Sequence, residues 1–153
     1  MLTIRRYQPA DRNAVWALHN AAIMPTGAHL GVGAWYDDML QIEQVYLANG
    51  GEYLVGEEAG QVVAMGALKR TSTERAEIKR MRVAPAYQGH GFGQAILEML
   101  EHKAKELGYT TLHLDTGVAM VAAQSLYRKN GYREISRGTI ADVEGIFFEK
   151  SIA

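Results

Sequence analysis

Residues 76–94 read Ala-Glu-Ile-Lys-Arg-Met-Arg-Val-Ala-Pro-Ala-Tyr-Gln-Gly-His-Gly-Phe-Gly-Gln. A strand-like run stops at Pro85, a turn follows with glycines at 89, 91 and 93, and a helix begins. Phe92, Ile96, Leu97, Leu100, Ala104 and Leu107 give Gly91 to Leu107 one apolar face at helical spacing, with Gly108 beyond its end. Glycines allow positive φ and close approach of a ligand to the backbone. The N–H groups that open a helix lack partners within it, and the helix dipole favours negative charge there. This combination predicts a pyrophosphate site. A P-loop needs lysine and then serine or threonine after its glycines, but Gly93 is followed by Gln94-Ala95. A dinucleotide fingerprint starting at Gly89 needs its third glycine at 94, which is Gln94.

The strand ahead of the turn breaks its own alternation. Met81 and Val83 share a face by period two, yet Ile78 lies three positions before Met81. One extra residue would reconcile them, so a β-bulge is predicted near Lys79-Arg80. It would bend this strand away from the strand at 110–115 and open a cleft between the two. Strand groups unpaired across that cleft could bond an extended ligand.

Working outward, Leu2 to Tyr7 alternates as a first strand, and Pro9-Ala10-Asp11 opens a helix with Ala14, Val15, Leu18, Ala21 and Ala22 inward. A loop carrying Pro25, Gly27, Gly31 and Gly33 leads to a second predicted helix, Trp35 to Ala48. Strands are predicted at Glu52 to Glu57, Gln61 to Arg70 and Ala76 to Ala84, the first two joined by Glu58-Ala59-Gly60. Beyond the glycine turn come a strand at Thr110 to Asp115, a helix at Val118 to Lys129, and strands at Tyr132 to Ile135 and Gly145 to Lys150. The order is β-α-α-β-β-β-α-β-α-β-β. It predicts an α/β (α+β) fold: one mixed, mostly antiparallel sheet of about six or seven strands, with helices on its faces.

The 153 residues fit a single domain spanning 1–153. With no cysteine, disulfides, thiolate metal sites and cysteine nucleophiles are excluded. A net charge of -1 gives no reason to expect a nucleic-acid partner. No apolar run approaches the ~20 residues of a membrane helix, and no signal segment opens the chain, so a cytoplasmic protein without membrane attachment is expected. His113 and Asp115 have a two-residue strand spacing but no third ligand, so no metal is expected.

Gln88-x-x-Gly91-x-Gly93, after a strand ending Met81-Arg82-Val83-Ala84-Pro85, resembles the acetyl-CoA motif of the GNAT superfamily of N-acetyltransferases. A second segment, Ala123-Gln124-Ser125-Leu126-Tyr127-Arg128-Lys129-Asn130-Gly131-Tyr132, resembles that family's Ala-x-x-Leu-Tyr-x-x-x-Gly-Phe/Tyr pattern. The element order is similar to the family's from first strand to last. The resemblance implies acetyl-CoA as co-substrate and a primary amine as acceptor, whether a small amine, an amino acid or a peptide amine.

It further implies that the strand Met81-Arg82-Val83 bonds the pantetheine arm through its backbone. Backbone N–H groups across Gln88, Gly89, His90, Gly91, Phe92, Gly93 and Gln94 would hold the pyrophosphate. Tyr127 matches the tyrosine that lies near the CoA sulfur and protonates the departing thiolate. Glu77 and Asp115 are the two candidate bases, with water alone as a third route. Many relatives carry a cofactor-contacting asparagine seven positions before Tyr127, where this chain has Met120. Acceptor choice would lie in Met24 to Tyr36 and Ser136 to Glu144. There His29, Trp35 and Tyr36 either line a pocket with Asp37 and Asp38 drawing a cation or, the favoured reading, Trp35 and Tyr36 pack as the start of a helix whose dipole the two aspartates suit. Two alternatives stand beside the N-acetyltransferase: a non-catalytic acyl-CoA-binding regulatory module, and a transferase for another acyl group. A homodimer is compatible with the exposed strands at the C-terminus.

Overall fold

A computed structural model describes residues 1–23, 34–140 and 143–153. Seven strands form one sheet: β1 (Thr3–Arg6), β2 (Glu52–Glu58), β3 (Gln61–Arg70), β4 (Arg75–Val83), β5 (Thr111–Gly117), β6 (Arg133–Ile140) and β7 (Val143–Ser151). Their spatial order is β1-β2-β3-β4-β5-β7-β6, and β4–β5 is the parallel pair among antiparallel neighbours. The helices are α1 (Arg12–Ile23), α2 (Phe92–Glu106) and α3 (Val121–Lys129). The mixed, mostly antiparallel sheet expected from the sequence is therefore present.

Each face of the sheet has its own core. Alternate residues Ala76, Ile78, Leu112 and Leu114 point to the face covered by α2, whose Ile96, Leu97, Leu100 and Ala104 are buried against them. Fully burying a side chain such as Leu100 contributes roughly 1.5–3 kcal/mol. Leu100→Ala would therefore cost about 2–5 kcal/mol through lost transfer energy and the cavity left behind. The opposite face buries Val15 and Leu18 of α1 with Tyr7, Met39, Ile42, Tyr46, Tyr53 and Val55. Turn chemistry holds the register: Ala59 and Gly60 both take positive φ, 52° and 78°, in the tight hairpin between β2 and β3. Pro9–Asp11 is a single tight turn ahead of α1, where Asp11 accepts the Gln8 N–H at 2.8 Å and a two-pronged bond from Arg5.

The second helix predicted at Trp35 to Ala48 is not a continuous α-helix. The chain makes a tight turn at Ala34–Leu40 and a wide turn at Glu43–Leu47, where the Ala48 N–H bonds the Glu43 carbonyl at 2.7 Å. Tertiary contacts set this pitch. Met39, Ile42 and Tyr46 are all buried, and the Tyr46 hydroxyl must also reach the Asp38 carboxylate. The last helix likewise begins at Val121 rather than Val118, because Gly117 to Met120 form its entry turn.

Candidate active site

Pairing between β4 and β5 begins at Arg75 and stops at Glu77, opposite His113. From Ile78 onward β4 pairs with β3 alone, so the two central strands diverge. The cause is the predicted bulge. Ala67 faces Lys79 and Met65 faces Arg82, so Gly66 stands opposite two residues, Arg80 and Met81. Arg80 carries the distortion with a φ of 57°, which side chains other than glycine rarely adopt. A Cβ on Gly66 would lie 2.5 Å from Met81 Sδ and 2.6 Å from Ile96 Cγ2, so only glycine lets the bulge and α2 close over β3. Sequence reading placed the bulge but missed Gly66, whose one signal was a glycine inside a strand run.

The divergence opens a cavity of ≈ 540 Å³ between β4, α2 and α3. That lies within the range of small-molecule sites, ≈ 300–1,000 Å³. Met81, Arg82, Val83, Gln88, Gly89, Gly91, Phe92, Gly93, Gln94 and Tyr127 line it, so ten of the sequence-predicted cofactor positions converge on one space. Gly89 and Gly91 each take a φ of 82°, and a Cβ on either would meet nothing within 4 Å. Their glycines serve conformation and open approach rather than packing. Gly91 is also the residue that opens α2, so its turn aims the helix's first N–H groups into the cavity mouth. The ring of Tyr87, which sequence reading did not single out, stacks on Phe92 at 5.9 Å and stiffens the turn.

His90 is the exception. It does not line the cavity; its exposed ring turns back, with Nδ1 3.0 Å from the Tyr87 carbonyl and 3.1 Å from that of Gln88. The far wall is the start of α3, where Met120, Val121 and Ala123 border the space. Gln94 and Asn130 exchange amide hydrogen bonds at 2.8 and 2.7 Å, tying the start of α2 to the end of α3.

Tyr127 is buried, with its ring 5.7 Å from Tyr132 and 6.2 Å from Phe148. Burial pushes its hydroxyl up to about 12, while the Arg82 charge works to lower it and the Asp115 charge adds to the rise. Glu77 and Asp115 alternate with residues of the α2 core, so both face the side of the sheet covered by α1. Burial raises the Glu77 carboxyl above the ordinary glutamate value; the Lys79 charge opposes this and Asp115 reinforces it. Both carboxylates thus lie near the divergence on the α1 side, which the cavity reaches at Ala22, though neither lines it.

His29 and the rest of 24–33 lie outside the described residues, as do the side chains of Trp35 and Tyr36 and residues 141–142. Asp37 is exposed. Asp38 is already engaged by Arg80, at 2.5 and 2.9 Å, so it is a structural partner and not a lure for a cation. No cluster of three potential metal ligands occurs among the described residues.

A cleft that admits an extended arm between two strands, and ends at a helix start suited to a pyrophosphate, is the layout of a CoA-dependent acyltransferase. Residues 8–132 match the acetyltransferase (GNAT) family, and the chain belongs to it. Over 105 residues it is 35% identical to the IAA acetyltransferase of Azospirillum brasilense, covering 65% of this chain and 67% of that one. The matched stretch falls to 45% of a relative's length in the case of N-acetyltransferase family 8 member 2 of Rattus norvegicus. An acetyltransferase of the GNAT family from Staphylococcus aureus Mu50 superposes with a TM-score of 0.90 at 21% identity, covering 100% of both chains. A Salmonella typhimurium structure with acetyl-CoA as its cofactor aligns at a TM-score of 0.79 and 23% identity, over 99% of this chain and 94% of that one. Acetyl-CoA-dependent acyl transfer is accordingly the general chemistry of this chain.

Proposed function

We propose that the chain transfers the acetyl group of acetyl-CoA to a primary amine, with Tyr127 as general acid and Glu77 as the favoured base. One observation carries this reading: a buried tyrosine and a glycine-opened helix start line the same cavity. Acetyl-CoA supplies an acetyl thioester, and the net reaction turns amine and thioester into amide and thiol. The turn from Gln88 to Gln94 would hold the pyrophosphate, and the backbone of Met81 and Val83 the extended arm. The open space in front of Gly89 and Gly91 fits such a group.

The chain must then manage protons. An alkyl ammonium has a pKa of about 10 and is almost wholly protonated at pH 7, so the acceptor needs a base. Glu77, raised by burial, is a stronger base than an exposed glutamate. It stands at the last paired position of β4, on the α1 face, which suits an acceptor entering from that side. Asp115 is the second candidate. A backbone N–H near Met81 is the proposed donor to the carbonyl oxygen as charge gathers there. Tyr127 gives its proton to the departing sulfur and regains one from the proton released by the amine. Donation alone is uphill, since a thiol of pKa about 8.5 is the stronger acid; loss of the amine proton drives the cycle.

Calorimetric titration with acetyl-CoA, with ADP and pantetheine as controls, tests the site, and release of free CoA across an amine panel tests the reaction. Binding followed by turnover with any amine supports the proposal. Binding with no turnover would leave an acyl-CoA-binding module, and absence of binding at millimolar ligand would overturn the cofactor assignment.

A further inference from the structure

Arg80 combines two unfavourable features in one residue. It is a non-glycine residue at positive φ, and its guanidinium is buried, with a side chain only 8% exposed. The bulge also reverses its facing. Ile78 and Met81 lie in the α2 core, while Arg80 turns to the α1 side and meets Asp38, itself only 13% exposed. Nε and Nη2 donate to the two Asp38 oxygens at 2.9 and 2.5 Å. The Tyr46 hydroxyl donates to the same carboxylate. Burial works to raise the Asp38 carboxyl, yet the bonds and charge of Arg80 hold it below the ordinary aspartate value. The pair is therefore charged.

A buried ion pair seldom adds net stability over apolar residues of similar volume, so stability alone gives little reason for it. What it does is geometric. The guanidinium, gripped at two points by a segment 42 residues away in the chain, cannot swing back toward the α2 core. The peptide between Arg80 and Met81 is thereby fixed. That peptide begins the stretch of β4 that borders the cavity.

We propose that Arg80, clamped by Asp38 and Tyr46, is a positioning residue that locks the β4 bulge and so presents the Met81–Val83 backbone to the acyl end of the cofactor. The proposal rests on the acetyl-CoA reading of the cavity. The glycine turn lies at the other end of the site and is independent of the clamp, so the two ends can be probed separately. Acetyl-CoA needs both; ADP needs only the turn.

The test compares Arg80→Ala with Arg80→Gly. Both leave Asp38 with the same remaining partners, and they differ in that glycine takes positive φ freely. Calorimetry with acetyl-CoA and with ADP is run on wild type and both variants. Arg80→Ala should weaken acetyl-CoA by about tenfold, the scale of one strained residue, while changing ADP little. Arg80→Gly should recover most of that loss. If Arg80→Ala does not fold, Asp38→Asn, which keeps an acceptor for Tyr46 and removes the charge, should show the same acetyl-CoA-selective weakening. Parallel loss of both ligands, or an alanine variant that binds acetyl-CoA as tightly as the wild type, would overturn the clamp. Failure of the wild type itself to bind acetyl-CoA would instead overturn the cofactor reading, and the clamp with it.

Discussion

The two faces of the sheet are built by different means. On the α2 face Ile78, Ile96, Leu97, Leu100, Leu112, Leu114 and Phe148 interlock without a charged group among them, beside Tyr109, Tyr127 and Tyr132. On the α1 face, three tyrosine rings meet at steep angles in a row, Tyr7 with Tyr53 at 5.5 Å and Tyr53 edge-on with Tyr46 at 5.4 Å. Arg80 and Asp38 are buried beside them, and at the edge the partly exposed Arg5 bridges Asp11 and Glu57. The glycine turn and α2 are encoded locally, within about thirty consecutive residues. The α1 side is assembled from long-range polar pairs, so its geometry depends on segments that meet only after folding. Substitutions on the first face should therefore act on cofactor binding, and those on the second on proton transfer and stability.

The largest effect is expected at the glycine turn. Gly91→Glu puts a side chain into open space at the cavity mouth, forces an unfavourable φ, and sets a negative charge against the pyrophosphate. Blocked approach and repulsion should lower acetyl-CoA affinity by more than about a hundredfold, whereas the strain, about 1–3 kcal/mol, acts on free and bound protein alike and so on stability. Thermal unfolding should shift only a few degrees, because nothing packs on that Cβ. Unchanged affinity by calorimetry would show that the pyrophosphate binds elsewhere.

Next comes Tyr127→Phe, which keeps the ring on Tyr132 and Phe148 and deletes the proposed proton donor. Turnover should fall by about 10²–10⁴, the usual worth of general acid catalysis, with acetyl-CoA affinity nearly unchanged. Equal loss of both would make Tyr127 a packing residue. Because the hydroxyl is pushed up to about 12, its ionisation should not limit the wild-type rate anywhere below pH 11.

Much of this was legible before folding. Phe92, Ile96 and Leu100 mark α2 by period, and the odd spacing from Ile78 to Met81 locates the bulge because sheet faces alternate strictly. Trp35 to Ala48 misled for the opposite reason. Its apolar spacing is helical, but the bonds from Asp38 to Arg80 and Tyr46 reshape its backbone, and no local pattern reports a partner 42 residues away. Glu77 could be placed on a strand from sequence, but its burial and raised carboxyl follow only from the sheet around it.

The α1 face offers a milder test through Glu77→Gln. If Glu77 takes the amine's proton, the wild-type rate should rise with pH through a midpoint above the ordinary glutamate value of about 4.3. In the glutamine variant that limb should vanish and the rate should drop by at least about tenfold. Asp115→Asn should lower the limb's midpoint slightly, since the Asp115 charge helps raise Glu77. A limb retained in Glu77→Gln but lost in Asp115→Asn would transfer the base to Asp115.

The smallest effect concerns stability, and it separates the two faces most directly. Asp38 and Asp11 are both held below the ordinary aspartate value, Asp38 against burial by Arg80 and Asp11 chiefly by its bonds to Arg5. A carboxyl whose folded pKa is depressed stabilises the fold fully above its unfolded pKa, about 3.9, and loses that contribution as pH falls through the folded value. The denaturant midpoint should therefore decline as pH drops below about 4. Asp38→Asn should make that decline shallower, and Asp38→Asn with Asp11→Asn shallower still. An α2-face variant such as Leu100→Ala should lower the midpoint by the same amount at every pH, since it removes no titrating group. If Asp38→Asn left the slope unchanged, the carboxylate would be equally paired in the unfolded chain, and the α1 face would owe its geometry to the tyrosines rather than to the ions.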